Sequence, residues 1–186
     1  MRIVAGELRG RPIRMPEGGD VRPTSDRARE AIFNILEHAP WSEGLEARRV
    51  IDLFAGSGAM GIEALSRGAG TCLFVDLAES SLAAVRTNLA AFGLEPRTRL
   101  LRQDATRLGR RREGDPPFDL AFLDPPYGKD LAGPALMALH NGGWLAAEAV
   151  AVLEQGSGEA ALELPGFEPL DRRRYGAAQV SFLRVR

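Results

Sequence analysis

Lysine is all but missing from this chain: among 186 residues Lys129 is the only one, so arginine carries nearly all the positive charge. A guanidinium is a planar fork of donors suited to phosphate oxygens. Cysteine is equally scarce. The single thiol, Cys72, excludes an internal disulfide and any multi-cysteine zinc site, and the Leu73-Phe74-Val75 that follows marks it as a buried strand residue. No metal site is expected. No apolar run is long enough to span a bilayer, and the start shows no charged–apolar–small leader pattern. The cytoplasm is the expected setting, and a membrane is not an expected partner. Repeats and low-complexity segments are lacking too. With a net charge of −1, the global balance does not announce a polyanion binder.

The distribution of charge says more. Arginines gather at Arg2, Arg9, Arg11 and Arg14, between Arg97 and Arg112, and at Arg172, Arg173 and Arg174. Residues 2–15 alternate loosely around Gly6 and Gly10 and read as a small basic hairpin, in which Arg9, Arg11 and Arg14 are candidates for gripping nucleic-acid phosphates. An arginine-rich composition with solvated side chains is the competing reading of each cluster. Residues 16–20 form a turn-rich loop. Pro23-Thr24-Ser25-Asp26 then opens a helix, with a hydroxyl to cap free amides and an acid in the first turn. Ala28, Ala31, Ile32, Ile35 and Leu36 give that helix one apolar face. Residues 1–40 are thus expected as a basic hairpin and helix appended to a core at 49–186, all within a single domain, 1–186.

From residue 49 onward, strands (50–54, 71–75, 98–102, 118–123, 150–154) alternate with helices (59–67, 80–92, 131–140), and two further strands close the chain at 170–175 and 179–185. Strands joined by crossover helices imply a mostly parallel sheet covered on both faces. The short link through Gly176 makes the last two strands antiparallel. The predicted fold is α/β: a Rossmann-like, doubly wound sheet ending in an antiparallel hairpin. Ligands in such sheets bind beyond the carboxyl ends of the strands, near the reversal of strand order, so the chemistry belongs after Phe54, Val75, Arg102 and Leu123.

The first strand runs into Asp52-Leu53-Phe54-Ala55-Gly56-Ser57-Gly58-Ala59-Met60-Gly61. Gly56-x-Gly58-x-x-Gly61, with Asp76 downstream, matches a dinucleotide fingerprint, which does not separate a nicotinamide enzyme from a methyltransferase. Asp52 tilts the balance. A carboxylate just ahead of the glycine loop sits badly beside a pyrophosphate and suits the ammonium of an amino-acid ligand. S-adenosylmethionine carries that ammonium, a ribose and an adenine, and no phosphate. Phe54, Ala55, Gly56, Ser57 and Gly58 would form the loop around it. Asp76, followed by Leu77, would accept from the ribose hydroxyls, and Asp104, followed by Ala105, from the adenine amine. Structural roles compete with these: loop solvation for Asp76 and helix capping for Asp104.

The fourth strand ends in Asp124-Pro125-Pro126-Tyr127. An amine on an aromatic base is a poor nucleophile because its lone pair is delocalised into the ring. Hydrogen bonds from that amine to the Asp124 carboxylate and the Pro125 carbonyl would turn it toward tetrahedral geometry and free the lone pair. Pro125 and Pro126 fix the backbone so that the carbonyl points inward, and Tyr127 offers a face on which a flipped base stacks. A methyl group on a sulfonium is already activated, so catalysis is mainly positioning and electrostatics.

These segments resemble the RsmD-type 16S ribosomal RNA guanine-N2 methyltransferases. The resemblance rests on residues 52–58, on Glu63-Ala64-Leu65-Ser66-Arg67-Gly68-Ala69, and on Asp124-Pro125-Pro126-Tyr127. It extends to Gly6, Arg9-Gly10-Arg11, Arg22-Pro23-Thr24-Ser25-Asp26-Arg27-x-Arg29-Glu30, Asn141-Gly142-Gly143-Trp144-Leu145 and Tyr175-Gly176, and so covers nearly the whole chain. The Arg-Pro-Thr segment is more specific than the Asp-Pro-Pro-Tyr tetrapeptide, which many amino-methyltransferases share. The resemblance implies a class I methyltransferase fold with a seven-stranded sheet, S-adenosylmethionine as cofactor, and methylation of one guanine N2 in a small-subunit rRNA loop. The implied partner is 16S rRNA within the small ribosomal subunit or a late assembly intermediate. One departure is Ala78, where the family often has a second acid two residues after the ribose-binding one.

Two alternatives stay open at this stage. A DNA adenine-N6 or cytosine-N4 methyltransferase uses the same Asp-Pro-Pro-Tyr chemistry, although no separate target-recognition domain is visible in so short a chain. A non-enzymatic nucleotide-binding Rossmann module would leave Asp52 and the Asp-Pro-Pro-Tyr run unexplained.

Overall fold

Strand after strand in this chain is apolar on both sides, and the computed structural model, which describes residues 1–18 and 24–186, shows why. Among the described residues seven strands form one sheet: β1 (Arg49–Leu53), β2 (Thr71–Asp76), β3 (Thr98–Arg102), β4 (Phe118–Leu123), β5 (Leu145–Gly156), β6 (Phe167–Tyr175) and β7 (Ala178–Val185). Their order is β3-β2-β1-β4-β5-β7-β6. The first five are parallel, and β7 is antiparallel to both β5 and β6. Helices α1 (Asp26–His38), α2 (Ala59–Ser66) and α3 (Glu79–Phe92) bury one face, packing Phe33, Ile62 and Val85 with Val50, Phe74, Phe122 and Phe182. On the other face, α4 (Ala132–Asn141) and a short 3-10 turn (Ala105–Arg107) cover Ile51, Leu53, Val75, Leu123 and Leu153. Covered on both sides, the inner strands need no polar alternation. The α/β class, the seven strands and the antiparallel terminal hairpin all stand as expected.

The largest departure is β5. The pattern predicts residues 150–154, yet the strand runs from Leu145 to Gly156. Its register against β4 slips between the pairs Phe118–Leu145 and Leu120–Val150, and Glu148 adopts a left-handed φ of 64°. The Ala-Ala-Glu-Ala run inside this irregularity carries no period-2 signal, so only the regular apolar part is legible.

The N-terminal segment reverses direction with a single bridge, Arg2 to Pro12, supported by amide bonds from Ile3 to the Arg11 carbonyl (3.0 Å) and from Gly10 to the Ile3 carbonyl (2.8 Å). Ile3, Leu8 and Ile13 enter the same apolar cluster as α1, α2 and the sheet. The fully buried Glu63 of α2 accepts from the amides of Val4 (2.9 Å) and Ala5 (3.0 Å). The same carboxylate takes the buried Arg29 of α1 at 3.4 Å and Arg67 at 2.9 Å. At Gly6 a Cβ would fall 1.8 Å from the Ser66 carbonyl oxygen, so only glycine lets the segment lie this close to α2. The expected hydroxyl cap of α1 is Ser25, whose Oγ accepts from the Ala28 amide at 3.1 Å. Arg22, Pro23 and the end of the 16–20 loop lie outside the described residues.

Candidate active site

The sheet order reverses between β1 and β4, and at the carboxyl ends of β1, β2, β3 and β4 stand the four acids Asp52, Asp76, Asp104 and Asp124. The chain leaves β1 through Phe54, whose φ of 58° is a left-handed conformation that costs a non-glycine residue about 1–3 kcal/mol. Two of the three fingerprint glycines then serve packing. A Cβ on Gly58 would meet Val85 at 3.1 Å and Phe74 at 3.2 Å, and one on Gly61 would come within 2.5 Å of Phe74 and 2.6 Å of the Cys72 sulfur. Gly56 differs: its φ is 56° and the nearest atom to its missing Cβ is 4.0 Å away. It is the glycine that leaves open space.

Asp52 lies beneath this loop, 3% exposed, with its Oδ2 accepting from the Gly61 amide at 3.0 Å. Burial pushes its carboxyl up to about 8, against the pull of that amide bond and with the help of the negative Asp76. Asp76 bridges two backbone amides, Gly56 to Oδ2 at 2.9 Å and Ala78 to Oδ1 at 2.8 Å. A carboxylate offers about four lone-pair sites, so two remain for incoming hydroxyls. Ala78, where the family often has an acid, contributes its amide. Asp104 caps the 3-10 turn: its Oδ1 accepts from the Thr106 hydroxyl at 2.7 Å and the Thr106 amide at 2.9 Å. Those bonds hold its carboxyl below the usual range, and its Oδ2 has no protein partner among the described residues.

Asp124 follows β4 directly. Burial first, then the nearby Glu154 and Asp52, hold its carboxyl well above the usual carboxylate range. Pro125 is buried, and Pro126 and Tyr127 are exposed. The Tyr127 hydroxyl donates to Glu154 Oε1 at 2.7 Å, and its ring covers the backbone of Gly156, where a Cβ would sit 3.5 Å from Tyr127 Cδ2. Among the described residues, Leu77 and Tyr127 are the large hydrophobic side chains left exposed, and they follow the acids that end β2 and β4. A cavity of about 290 Å³ lies elsewhere, lined by Leu153, Leu162, Leu170 and Leu183, and shares no residue with these strand ends. No group of three or more His, Cys, Asp or Glu side chains placed to hold a metal ion occurs among the described residues, and no described helix is long and apolar enough to cross a membrane.

The arginines divide. Arg11 donates to the Ala91 carbonyl at 2.7 Å and lies 4.7 Å over the Phe92 ring, and Arg97 donates to the carbonyls of Ala69 and Gly70 at 2.6 and 3.2 Å. Arg9 and Arg14 are exposed, with no partner for either guanidinium among the described residues. The residue that sequence reading passed over is Glu154, 9% exposed at the end of β5. Its signal was an acid closing an apolar strand, the same signal that singled out Asp52, Asp76 and Asp124.

The family described as "Conserved hypothetical protein 95" matches residues 1–184. The chain is similar to "Ribosomal RNA small subunit methyltransferase D" of Escherichia coli strain K12, 32% identical over 182 residues, which span 98% of this chain and 87% of that protein. The protein of the same name from Haemophilus influenzae is 34% identical over 155 residues, 83% of this chain and 78% of its own length. Among solved structures, the methyltransferase candidate yhhF from Escherichia coli superposes with a TM-score of 0.83 at 28% identity, covering 100% of this chain and 97% of that one.

Proposed function

The chain belongs to the family described as "Conserved hypothetical protein 95", and we propose that it methylates the N2 amine of one guanine in a loop of 16S ribosomal RNA. S-adenosylmethionine supplies the methyl group, on a sulfonium that needs no further activation. The coarser statement, a ribosomal RNA methyltransferase on a class I methyltransferase fold, follows from the names of the relatives and the matched fold. Residues 1–186 act as one methyltransferase domain, a reading supported by the N-terminal side chains that share the sheet's apolar cluster. The substrate is the small ribosomal subunit or a late assembly intermediate, in the cytoplasm.

One observation carries the chemistry: the buried Asp52 and the half-buried Asp124 stand at the ends of neighbouring strands, and Asp52 helps to raise the Asp124 carboxyl. An ammonium-bearing cofactor answers the first and a hydrogen-donating amine the second. Open space at Gly56, the lone pairs left on Asp76 and the exposed Leu77 fit a ribose and an adenine. In this reading Phe54, Ala55, Ser57 and Gly58 shape the loop, and Asp104 with Ala105 borders the adenine. Asp124 and the Pro125 carbonyl accept the two hydrogens of the N2 amine, so its lone pair points at the methyl carbon. Pro126 stiffens the turn, and Tyr127 stacks on the flipped guanine. As the nitrogen–carbon bond forms and the carbon–sulfur bond breaks, the amine becomes acidic and its proton passes to Asp124 or to water. Exposed Arg9 and Arg14 hold flanking phosphates.

Small subunits from cells lacking this protein, incubated with it and S-adenosylmethionine, should gain a methyl on one guanine N2. Nuclease digestion and mass spectrometry of the 16S rRNA would locate it. A methyl found on adenine or cytosine, or only on DNA, would overturn the reading.

A further inference from the structure

Glu154 lies near the end of β5, beside the point where Asp124 leaves β4. Leu123 pairs with Leu153 across the two strands, so Asp124 and Glu154 are the next residues on adjacent strands, whose backbones run about 4.8 Å apart. Each carboxylate oxygen of Glu154 has a hydroxyl. Tyr127 donates to Oε1 at 2.7 Å, and Thr24, 130 residues away in sequence, donates to Oε2 at 2.7 Å. Hydroxyl-to-carboxylate bonds of this length are charge-assisted and directional, and a carboxylate so buried is stable only when its oxygens are satisfied. Each bond fixes a different part of the chain: the loop that follows β4, and the residues that lead into α1.

We propose that Glu154 is a positioning residue for methyl transfer, holding the Tyr127 ring and the Thr24 segment as one wall beside Asp124. This rests on the reading of residues 124–127 as the loop that orients the amine. Tyr127 is tethered by its hydroxyl bond to Oε1 and its ring lies beside Gly156, where a Cβ would fall 3.5 Å from Cδ2, so the ring on which a base stacks is oriented from β5. Thr24 brings the entry of α1 to the same carboxylate, so this part of the N-terminal region is tied directly to the site. Glu154 also acts through charge. Its neighbour Asp124 is held well above the usual carboxylate range by burial, by Glu154 and by Asp52. The other titratable or charged groups near Glu154 are the Tyr127 phenol, Glu159, whose Oε1 accepts from the Gly156 amide at 2.8 Å, and, on the same sheet face beyond Val180, Arg173, which is paired with Asp171 at 2.9 Å. Ahead of α1, Asp26 is turned to Arg29 at 3.0 Å. Removing the Glu154 charge therefore takes away the larger of the two neighbouring charge effects that raise Asp124.

The test is Glu154→Gln, which keeps the size and an acceptor oxygen but loses the charge, with Thr24→Val and Tyr127→Phe each deleting one bond. On small subunits, kcat of Glu154→Gln should fall, by up to about a hundredfold for a misplaced reacting group, with the affinity for S-adenosylmethionine unchanged. The acid limb of its kcat–pH profile should move to lower pH, because the Asp124 carboxyl drops toward its usual range. Thr24→Val and Tyr127→Phe should be coupled through their shared partner, the double variant losing several-fold less than the product of the single losses. A stationary acid limb together with single losses that simply multiply would overturn the proposal, as would a Glu154→Gln variant with wild-type turnover. If Glu154→Gln fails to fold, the Thr24–Tyr127 cycle decides alone. Asp124→Asn separates the two readings: if it stays active, the amine-orienting loop is misassigned, whereas an inactive Asp124→Asn beside an unimpaired Glu154→Gln overturns only the role of Glu154.

Discussion

The two halves of the site are built differently. At the ends of β1, β2 and β3, each acid is held by backbone donors: Asp52 by the amide of Gly61, nine residues on, Asp76 by those of Ala78 and Gly56, two and twenty residues away, and Asp104 by Thr106, two residues on. At the ends of β4 and β5, order comes from hydroxyls of distant residues meeting one buried carboxylate, the Thr24–Glu154 bond spanning 130 residues. A half fixed by its own loops is shaped before any ligand arrives. A half fixed by long-range bonds depends on the whole fold, and the two should fail separately when mutated.

The largest effect should come from Asp124→Ala. Turnover is expected to drop about a hundredfold or more, the cost of removing one group aimed at a transition state, while equilibrium dialysis finds S-adenosylmethionine binding unchanged. A variant that keeps activity within a few-fold of wild type would erase the division between halves. Next comes Asp76→Ala, which should weaken cofactor binding by about 1–3 kcal/mol through lost hydrogen bonds to a charged acceptor, with titration calorimetry as the measurement. Unaltered affinity would move the ribose to another acceptor, with Glu79 the nearest candidate in sequence.

A smaller, pH-linked effect belongs to Asp52. Its carboxyl, raised to about 8 by burial, keeps a proton in the free folded protein at pH values where the unfolded chain has lost it. The stability of the free protein should therefore decline as pH rises from the ordinary carboxylate range toward about 8. An ammonium beside Asp52 favours the carboxylate, so cofactor binding below about pH 8 should release a proton and tighten with rising pH. Calorimetry in buffers of different ionisation enthalpy reads that proton directly; no release would leave Asp52 as a clamp on the glycine loop and nothing more. The mildest change is Arg9→Ala with Arg14→Ala, which should reduce the log–log salt slope of RNA binding by roughly 0.7–0.9 per lost phosphate contact. Arg11 is the poorer probe, since its guanidinium is already engaged by Ala91 and Phe92. A slope that stays put would return the basic segment to a purely packing role.

The same contrast explains what could be read from the amino-acid order. Local devices leave local signatures: the glycine loop, an acid at the end of a strand, a serine ahead of an amphipathic helix. The β1–β4 reading, the α/β class and the placement of Asp52, Asp76, Asp104 and Asp124 at strand ends rest on them. Asp104 shows the limit, because capping and ligand binding use one residue type at one position, and its Oδ1 is engaged by Thr106. Glu154 was illegible as a hub since neither of its partners is near it in sequence. Glu63 was equally hidden: nothing in its helix foretells that Val4, Ala5, Arg29 and Arg67 converge on it. The first residues therefore read as an appendage, although Ile3, Leu8 and Ile13 lie in the core.

The outer strands give one arginine cluster and part of another a use that needs no nucleic acid. β3 and β6 are the margins of the sheet. β3 carries Arg99 and Arg102, and β6 carries Pro169 with Arg172, Arg173 and Arg174, whereas the five inner strands hold only Arg49 and Arg184. A bare margin offers unpaired amides and carbonyls to any passing strand, and long charged side chains or a proline discourage that addition. Crowded copies of this chain are thereby kept from stitching their sheets together edge to edge, so charge that the composition left unexplained protects against aggregation.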